Sequence, residues 1–141
     1  MRLAWLARTA KDYGEPLRAR SGFVTVDTRK LAVVRTINLS GDFAYDAIAS
    51  NGRTLYLIEH FSNADVLRYR VRAFDLRSGR LLPQIIVDKR EPNEPMSGMP
   101  AARVSTTDGR KVFTLYAGNE HPFVHLLDTV ARVAFCIDLP K

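Results

Sequence analysis

One pattern of residues occurs twice in this 141-residue chain and constrains its fold more than any other feature. The segment Ile48–Leu57 contains an apolar stretch, an Asn-Gly pair followed by Arg, and a second apolar stretch, and Val104–Thr114 repeats this order around an Asp-Gly pair. The two glycines, Gly52 and Gly109, are 57 positions apart (109 − 52). Such pairs between apolar runs are typical of β-hairpins with a type I′ turn, which needs positive φ at both central residues. A hairpin that recurs at this spacing predicts stacked modules of β-sheet.

We divide the chain into three modules of a single domain, at residues 1–40, 41–91 and 92–141. In the middle module we predict strands at 43–49, 54–60, 68–75 and 81–87. In the third module the corresponding strands are predicted at 101–105, 111–117, 123–128 and 133–139. The first module is expected to hold only the last three strands, at 2–8, 22–27 and 33–39, and the prolines and glycine of 92–100 to form a linker. No segment has a period of 3.6 residues, so the prediction is an all-β fold of antiparallel four-stranded sheets.

An aspartate ends the third predicted strand of every module. Asp27, Asp75 and Asp128 are separated by 48 and 53 residues (75 − 27 and 128 − 75). An aspartate at the start of a turn accepts hydrogen bonds from the backbone N–H groups that follow it. We therefore predict that these three residues close turns rather than bind a ligand.

Composition narrows the class of protein. With 46% hydrophobic and 26% charged residues the chain has the composition of a folded globular domain. The formal net charge is +6, but the basic residues are scattered and no nucleic-acid motif accompanies them, so nucleic-acid binding is not expected. No apolar stretch approaches the ~20 residues that span a bilayer, and no signal peptide is predicted. The single cysteine, Cys136, excludes an intrachain disulfide and lies in an apolar run, where we expect a small buried hydrophobic residue.

Two segments carry a resemblance to a known family. Val71–Leu81, with its Asp-Leu-Arg-Ser-Gly-Arg-Leu end, and Gly52–Leu57 resemble the "Dx-(S/T)-G-x-L" and "D/N-G-x-x-L-Y" segments of bacterial YVTN/YncE-like and WD40-like β-propellers. The resemblance spans residues 20–140, without the Trp-Asp and Gly-His pairs of true WD40 repeats. It implies four-stranded blades stacked as a partial, open propeller, a tendency to bind other molecules, and a cell-envelope or extracellular location. The sequence itself leaves the compartment unknown.

The number of modules raises a question of assembly. Closed propellers contain four to eight blades, whereas about two and a half are counted here. Three explanations stay open: a piece of a longer propeller, self-association through exposed blade faces, or a compact sandwich of sheets. The missing first strand of the first module favours the first explanation. Self-association would cover apolar faces that an open stack leaves exposed.

Asp46 and Arg103 are the first candidates for a ligand site. They occupy equivalent positions in the first strands of two neighbouring modules (103 − 46 is again 57). First strands line the central channel of a propeller, so the opposite charges are expected to meet there, as an ion pair in the simpler interpretation or around a polar ligand.

Other polar residues are weaker candidates. Glu59 and His60 adjoin each other in one strand, where neighbours point to opposite faces and do not converge on a metal. His121 and His125 are four apart but are separated by Pro122, and we expect His125 to be a core histidine whose hydrogen bonds are satisfied. Three arginines alternate along the third strand of the middle module, where they either contact a phosphate polymer or, with fewer assumptions, protect a sheet edge: Arg68, Arg70 and Arg72.

These observations predict a non-catalytic binding or interaction module with no cofactor and no metal. The protein or small polar ligand that it binds is not identified by the sequence. The alternative is a remnant of a propeller-type metal-dependent hydrolase or lactonase, which would need acidic or histidine ligands from several first strands. Asp46 is the one such residue that the predicted first strands contain.

Overall fold

The computed structural model describes residues 2–4, 15–94, 96–117 and 121–140, and every regular element in these ranges is a β-strand. The N-terminal sheet contains β1 (Arg2–Ala4), β2 (Arg20–Asp27) and β3 (Ala32–Ser40). The middle sheet contains β4 (Asp42–Ile48), β5 (Thr54–His60), β6 (Arg68–Asp75), β7 (Arg80–Ile86) and β8 (Met96–Ser97). The C-terminal sheet contains β9 (Met99–Ser105), β10 (Lys111–Ala117), β11 (Phe123–Asp128) and β12 (Val133–Asp138). Within these residues there is no helix with the length and apolar character needed to cross a membrane.

Each sheet is an antiparallel meander in which strands adjacent in sequence are adjacent in space, except that β8 pairs with β6. The predicted all-β, antiparallel fold is therefore confirmed. Strands β5, β6, β10 and β11 have the predicted bounds, because their apolar runs end at Asn-Gly, Asp-Gly or aspartate turns. Residues 5–8 of the first predicted strand lie outside the described residues.

The prediction of four strands per sheet is wrong for the middle sheet, which has a fifth. β8 pairs with Arg68 and Tyr69 at the start of β6, beyond the end of β7. The segment predicted as a linker thus extends the middle sheet, and β9 already begins at Met99 and includes Pro100. Pro100 is tolerated because β9 lies at the edge of its sheet. Pro95, another residue of the predicted linker, lies outside the described residues.

The two repeated hairpins form, but not through type I′ turns. Gly52 and Gly109 both have φ of 67°, whereas Asn51 and Asp108 do not have positive φ. The N–H of Gly52 donates to the carbonyl of Ala49 at 2.8 Å, so a turn with one left-handed glycine closes each hairpin. The reason is loop length: four residues rather than two separate the last ladder positions, which favours a turn built around ordinary φ values.

The aspartates at the ends of the third strands close turns as predicted. In Asp27, Asp75 and Asp128, Oδ1 accepts hydrogen bonds from N–H groups two or three residues further on, at 2.8 to 3.1 Å. These and neighbouring hydrogen bonds stabilise the ionised carboxylates and lower the pKa of all three.

The three sheets pack face to face, with the middle sheet covered on both sides. The first seam, between the N-terminal and middle sheets, is an apolar cluster that includes Phe23, Ile37, Phe43, Leu55, Leu57 and Phe74. The second seam, between the middle and C-terminal sheets, includes Tyr56, Ile58, Tyr69, Val71, Val112, Tyr116, Phe123 and Leu127. β5 is accordingly buried along nearly its whole length, since alternate residues contribute to different seams.

Candidate functional site

A β-bulge in β4 positions Asp46. Tyr45 lies opposite Leu57 and Ala47 lies opposite Tyr56, so Asp46 is an extra residue in the ladder. Bulges re-aim a side chain and occur frequently beside functional sites. Here Asp46 lies at the second seam and is 2% exposed. No sequence signal predicts the bulge, since the segment around Asp46 has the apolar content of an ordinary strand.

Arg103 of β9 meets Asp46 across the second seam. Its Nη2 lies 3.1 Å from Asp46 Oδ1. Its Nε donates to Thr114 Oγ1 at 3.0 Å, and its Nη1 donates to the carbonyl of Tyr45 at 3.2 Å. The predicted ion pair between the first strands of neighbouring modules is thus confirmed, and its role in ligand binding stays a prediction. Two hydrogen bonds and the ion pair orient the guanidinium plane of Arg103 at the surface.

A groove of about 1060 Å³ runs along β4 and β9 beside this ion pair. Both strands lie at the edges of their sheets. The groove is lined by Asp46, Arg103 and His60, which are three of the four candidate ligand-binding residues. One end lies at the two repeated turns, Ser50–Gly52 and Thr107–Gly109, and its walls include small apolar side chains.

His125 lies beneath the groove in the interior of the second seam. It is 1% exposed, and its ring approaches those of Tyr69 and Tyr116 edge-on, with centroids 6.1 and 6.3 Å away. Burial lowers the pKa of His125, against the opposing effect of the Asp46 carboxylate, so the imidazole is neutral at pH 7. As predicted, His125 is an interior residue and does not pair with His121, which lies 3.6 Å from Asp138.

Several polar atoms in this interior are buried without a hydrogen-bond partner among the described residues. Oδ2 of Asp46 and Nε2 of His125 are among them. The prediction that the hydrogen bonds of His125 are satisfied is therefore wrong at Nε2, while Nδ1 lies 3.7 Å from Cys136 Sγ. Buried polar atoms are normally paired, so an unsatisfied carboxylate oxygen and an unsatisfied imidazole nitrogen in one seam mark a region that is not optimised for stability alone.

Cys136 has the character of an apolar residue. It packs against the core of the second seam. Burial, followed by the negative charge of Asp88, raises the pKa of its thiol to about 12. The sulfur is therefore a neutral thiol at pH 7, in agreement with the expected small hydrophobic role and not with a nucleophile, which requires a thiolate.

Glu59 and His60 do not converge. Although partial burial opposes ionisation of Glu59, hydrogen bonds from Arg70 and Arg72, each 2.6 Å from Oε2, lower its pKa. The His60 side chain is buried on the opposite side of β5, 6.5 Å from the Tyr69 ring between centroids. Glu59 is thus an ion-pair partner within the middle sheet, and only His60 lines the groove.

The arginine stripe does not protect a sheet edge. β6 pairs with β5 on one side and with β7 and β8 on the other, so the simpler interpretation of the stripe is wrong. Arg70 and Arg72 bind Glu59, and the guanidinium of Arg70 also lies 4.8 Å from the centre of the Phe61 ring. Two arginines of the stripe instead form ion pairs with the half-buried carboxylate of Glu59.

Asp88 is a polar residue that sequence reasoning missed. Its buried carboxylate accepts the N–H of Cys136 at 2.8 Å and binds the guanidinium of Arg90, whose Nη2 also donates to the Cys136 carbonyl. Hydrogen bonding by the Arg90 side chain, which outweighs burial, holds the pKa of Asp88 well below its usual range. This contact links the end of the middle sheet to β12. No local motif indicates it, because the partners are 48 residues apart (136 − 88).

Comparison with known proteins gives little further information. No protein-family model and no curated protein matches this sequence. Among solved structures, the chain is similar to hydrazine synthase of Kuenenia stuttgartiensis, with a TM-score of 0.49 and 20% sequence identity. The alignment covers 84% of this chain, which spans only 35% of that protein. A likeness at this level carries no information about the activity of this chain.

Proposed function

We propose that this chain is a non-catalytic binding module built from β-propeller-type repeats, and that it binds a small polar ligand in the groove between β4 and β9. The observation that carries the proposal is the bulge of β4, which holds Asp46 against Arg103 at the wall of this groove. In a propeller of the YVTN/YncE-like or WD40-like kind, β4 and β9 would be the innermost strands of adjacent blades. The groove would then open on the central channel, where such folds enclose their ligands.

The chemistry of Arg103 suggests the class of ligand. A guanidinium has five N–H donors, and Arg103 donates hydrogen bonds to Thr114 and Tyr45 and forms an ion pair with Asp46. Its other N–H groups belong to a side chain that is 28% exposed. They fit acceptor oxygens, so the proposed ligand carries a carboxylate. Ala47, Ala49, Ile58 and Val112 supply the apolar part of the groove.

No observation favours the alternative of a metal-dependent hydrolase. Among the described residues, no three His, Cys, Asp or Glu side chains come together in a geometry that could hold a metal ion. We therefore propose no metal site and carry no catalytic residue over from the propeller resemblance.

Saturation-transfer NMR tests the groove with two probes of different chemistry. Citrate supplies carboxylates and methyl glucoside supplies hydroxyl groups only. We expect saturation transfer to citrate, with little to the glucoside, because the spare donors belong to a cation. Ser105→Phe fills the groove and should abolish the citrate signal, whereas Ser40→Phe, at an exposed site outside the groove, should retain it.

A second pair of variants separates recognition from bulk charge. Arg103→Gln should remove citrate binding, while Arg110→Gln, which removes the same charge from an exposed site outside the groove, should keep it. Because Arg103→Gln leaves Asp46 buried without its cation, folding is checked by circular dichroism. Binding of citrate that survives both Ser105→Phe and Arg103→Gln would refute the proposal.

A further inference from the structure

The C-terminal sheet has one apolar face that no other sheet of the described residues covers. Val104 pairs with Phe113, which pairs with Leu126, which pairs with Phe135, and Leu115 pairs with Val124. Residues directly opposite each other in a sheet point to the same side. These six residues form the outer apolar face: Val104, Phe113, Leu115, Val124, Leu126 and Phe135. None is buried, and Val104 is 64% exposed.

The repeat shows what covers the equivalent face of the middle sheet. Each residue of the outer apolar face has an equivalent in the middle sheet. Its number is lower by 57 in the first two strands of the module (109 − 52) and by 53 in the last two (128 − 75). The equivalent residues are Ala47, Tyr56, Ile58, Val71, Ala73 and Leu82. All six belong to the second seam, where they pack against the C-terminal sheet. In the middle sheet, the equivalent apolar face is thus covered by the following sheet of the chain.

The opposite end of the stack offers the complementary face. In β2, Phe23 points into the first seam, so Val24 and Val26 point away from it. Val26 pairs with Val33 of β3, which is 64% exposed. The equivalent position of Val26 in the middle sheet is Phe74 (26 + 48), which lies in the first seam against the N-terminal sheet. The outer face of the N-terminal sheet is therefore equivalent to the face of the middle sheet that packs against the sheet before it in the chain.

We propose that the outer apolar face of the C-terminal sheet packs against the outer face of the N-terminal sheet of a second copy of this chain. The contact would repeat the geometry of the two internal seams. It joins different surfaces of the two copies, so it closes into a ring or continues as a chain of molecules. It would also cover apolar surface that monomeric proteins rarely expose. The proposal does not rest on ligand binding, although Val104 lines the ligand groove as well as the outer apolar face.

Light scattering on the full chain tests the contact. We expect a mass of two or more chains that grows with concentration. Val104→Glu and Val33→Glu should each reduce the mass to that of one chain, because each places a charge in one of the two faces. Val130→Glu, at a similarly exposed valine in the turn after β11, is the matched control and should assemble like the natural chain. Circular dichroism establishes that each variant folds.

A mixing experiment distinguishes this contact from a symmetric one. Each single variant keeps one intact face, so an equimolar mixture of Val104→Glu and Val33→Glu should form a discrete dimer that neither forms alone. Assembly by Val33→Glu alone, with loss only in Val104→Glu, would mean that two C-terminal sheets pair with each other and would overturn the proposal. A natural chain that has the mass of one molecule at every concentration would overturn it as well.

Discussion

The two seams of this molecule keep their polar groups in different places. On the face that the middle sheet turns to the first seam, Arg70 and Arg72 bind the carboxylate of Glu59, while Nε of Arg72 is buried without a partner among the described residues. In the second seam, Oδ2 of Asp46 and Nε2 of His125 are buried without a partner among the described residues. The first seam therefore leaves unsatisfied a nitrogen of a guanidinium that is ion-paired, whereas the second leaves a carboxylate oxygen and an imidazole nitrogen unsatisfied beside a groove.

The difference has a physical basis. A buried polar atom without a hydrogen bond costs about 1–3 kcal/mol of stability. The cost in the second seam is offset by aromatic packing: Tyr116 stacks on Tyr69 at 4.7 Å and on Phe123 at 5.1 Å between ring centroids. A stacked pair contributes about 0.5–1.5 kcal/mol beyond the area it buries. Since the second seam depends on this stack, it should be the more sensitive of the two to truncation.

The largest expected effect is the loss of the aromatic stack. Tyr116→Ala should lower the free energy of unfolding by about 4–5 kcal/mol, and Leu57→Ala, in the first seam, by about 3 kcal/mol. Both residues are fully buried, so the difference combines the larger side chain removed at Tyr116 with the loss of its stacking. Urea denaturation followed by circular dichroism gives both values. An equal or larger loss for Leu57→Ala would show that the second seam does not depend on its aromatic rings.

The next largest effect concerns the link between the end of the middle sheet and β12. Asp88→Asn should cost about 1.5–3 kcal/mol at pH 7, because it removes the charge from hydrogen bonds to Arg90 and Cys136. The pKa of Asp88 is lowered in the folded state, so its contribution is present above the unfolded pKa of about 3.9 and is lost as the pH falls through the lower folded value.

The difference in free energy of unfolding between the natural chain and Asp88→Asn should therefore become smaller as the pH is lowered below about 4. Asp138→Asn, at an exposed position of β12, is the control and should leave the free energy of unfolding at pH 7 nearly unchanged. Guanidinium denaturation at neutral and acid pH measures both. A difference for Asp88→Asn that is constant with pH would contradict the assigned role of its charge.

A smaller effect follows from the neutral histidine of the second seam. The pKa of His125 is lowered by burial, so the unfolded chain binds a proton at a pH where the folded chain does not. Stability is greatest above the unfolded pKa of about 6.5 and falls as the pH is lowered, by at most about 1.4 kcal/mol per pH unit. The groups that face or influence His125 are Asp46, Tyr69, Asp88, Arg103, Tyr116 and Cys136.

His125→Phe should remove this part of the pH dependence between pH 7 and 5, while His121→Gln should retain it. Thermal unfolding at a series of pH values measures the slope for each variant. If the dependence of stability on pH has the same slope in His125→Phe, another group is responsible for it. The buried neutral histidine would then not distinguish the second seam from the first.

The sequence predicted the local elements well and the contacts between sheets poorly. The hairpin signals and turn aspartates are local, so β5, β6, β10 and β11 could be placed to the residue. The Asp46–Arg103 pair was also found, because the internal repeat converts a spacing in sequence into a position in space. The repeat is the one source of long-range information in a single sequence.

What the sequence missed lies where the repeat is broken. The bulge of β4 is at Asp46, whereas the register shift of β9 is at Ala101, which is equivalent to position 44 (101 − 57). The strand β8 and the link from Asp88 to Cys136 join residues that are far apart in the sequence. Each depends on register or on partners far along the chain, and propensity carries no information about either. The unpaired Nε2 of His125 belongs to the same class, because hydrogen-bond satisfaction is decided by neighbours from several strands.

The smallest effect concerns the three hairpin turns that follow the turn aspartates. The residue four positions after each aspartate has positive φ: Leu31 at 51°, Gly79 at 72° and Arg132 at 57°. Only the middle turn has the residue that this backbone favours. A residue with a side chain loses about 1–2 kcal/mol of stability when its backbone is in the left-handed region. Glycine avoids this cost but loses about 0.5–1 kcal/mol of stability, because it is more flexible in the unfolded chain. Gly79→Ala should therefore be destabilising, the more so because its Cβ would lie 3.2 Å from Arg35 Nη1.

Glycine substitutions at the other two turns should change the free energy of unfolding by unequal amounts. The difference measures the contact that Arg132 makes across the second seam. Leu31 is 84% exposed, so Leu31→Gly should raise the free energy of unfolding by about 0.5–1 kcal/mol. Arg132 lies beside the second seam, where its Nη2 is 3.5 Å from Thr54 Oγ1. Arg132→Gly gains the same relief of backbone strain but loses this contact, so its net gain should be smaller. Thermal denaturation of the two variants decides the point, since equal gains would mean that Arg132 contributes nothing across the second seam and that this seam is held by its interior alone.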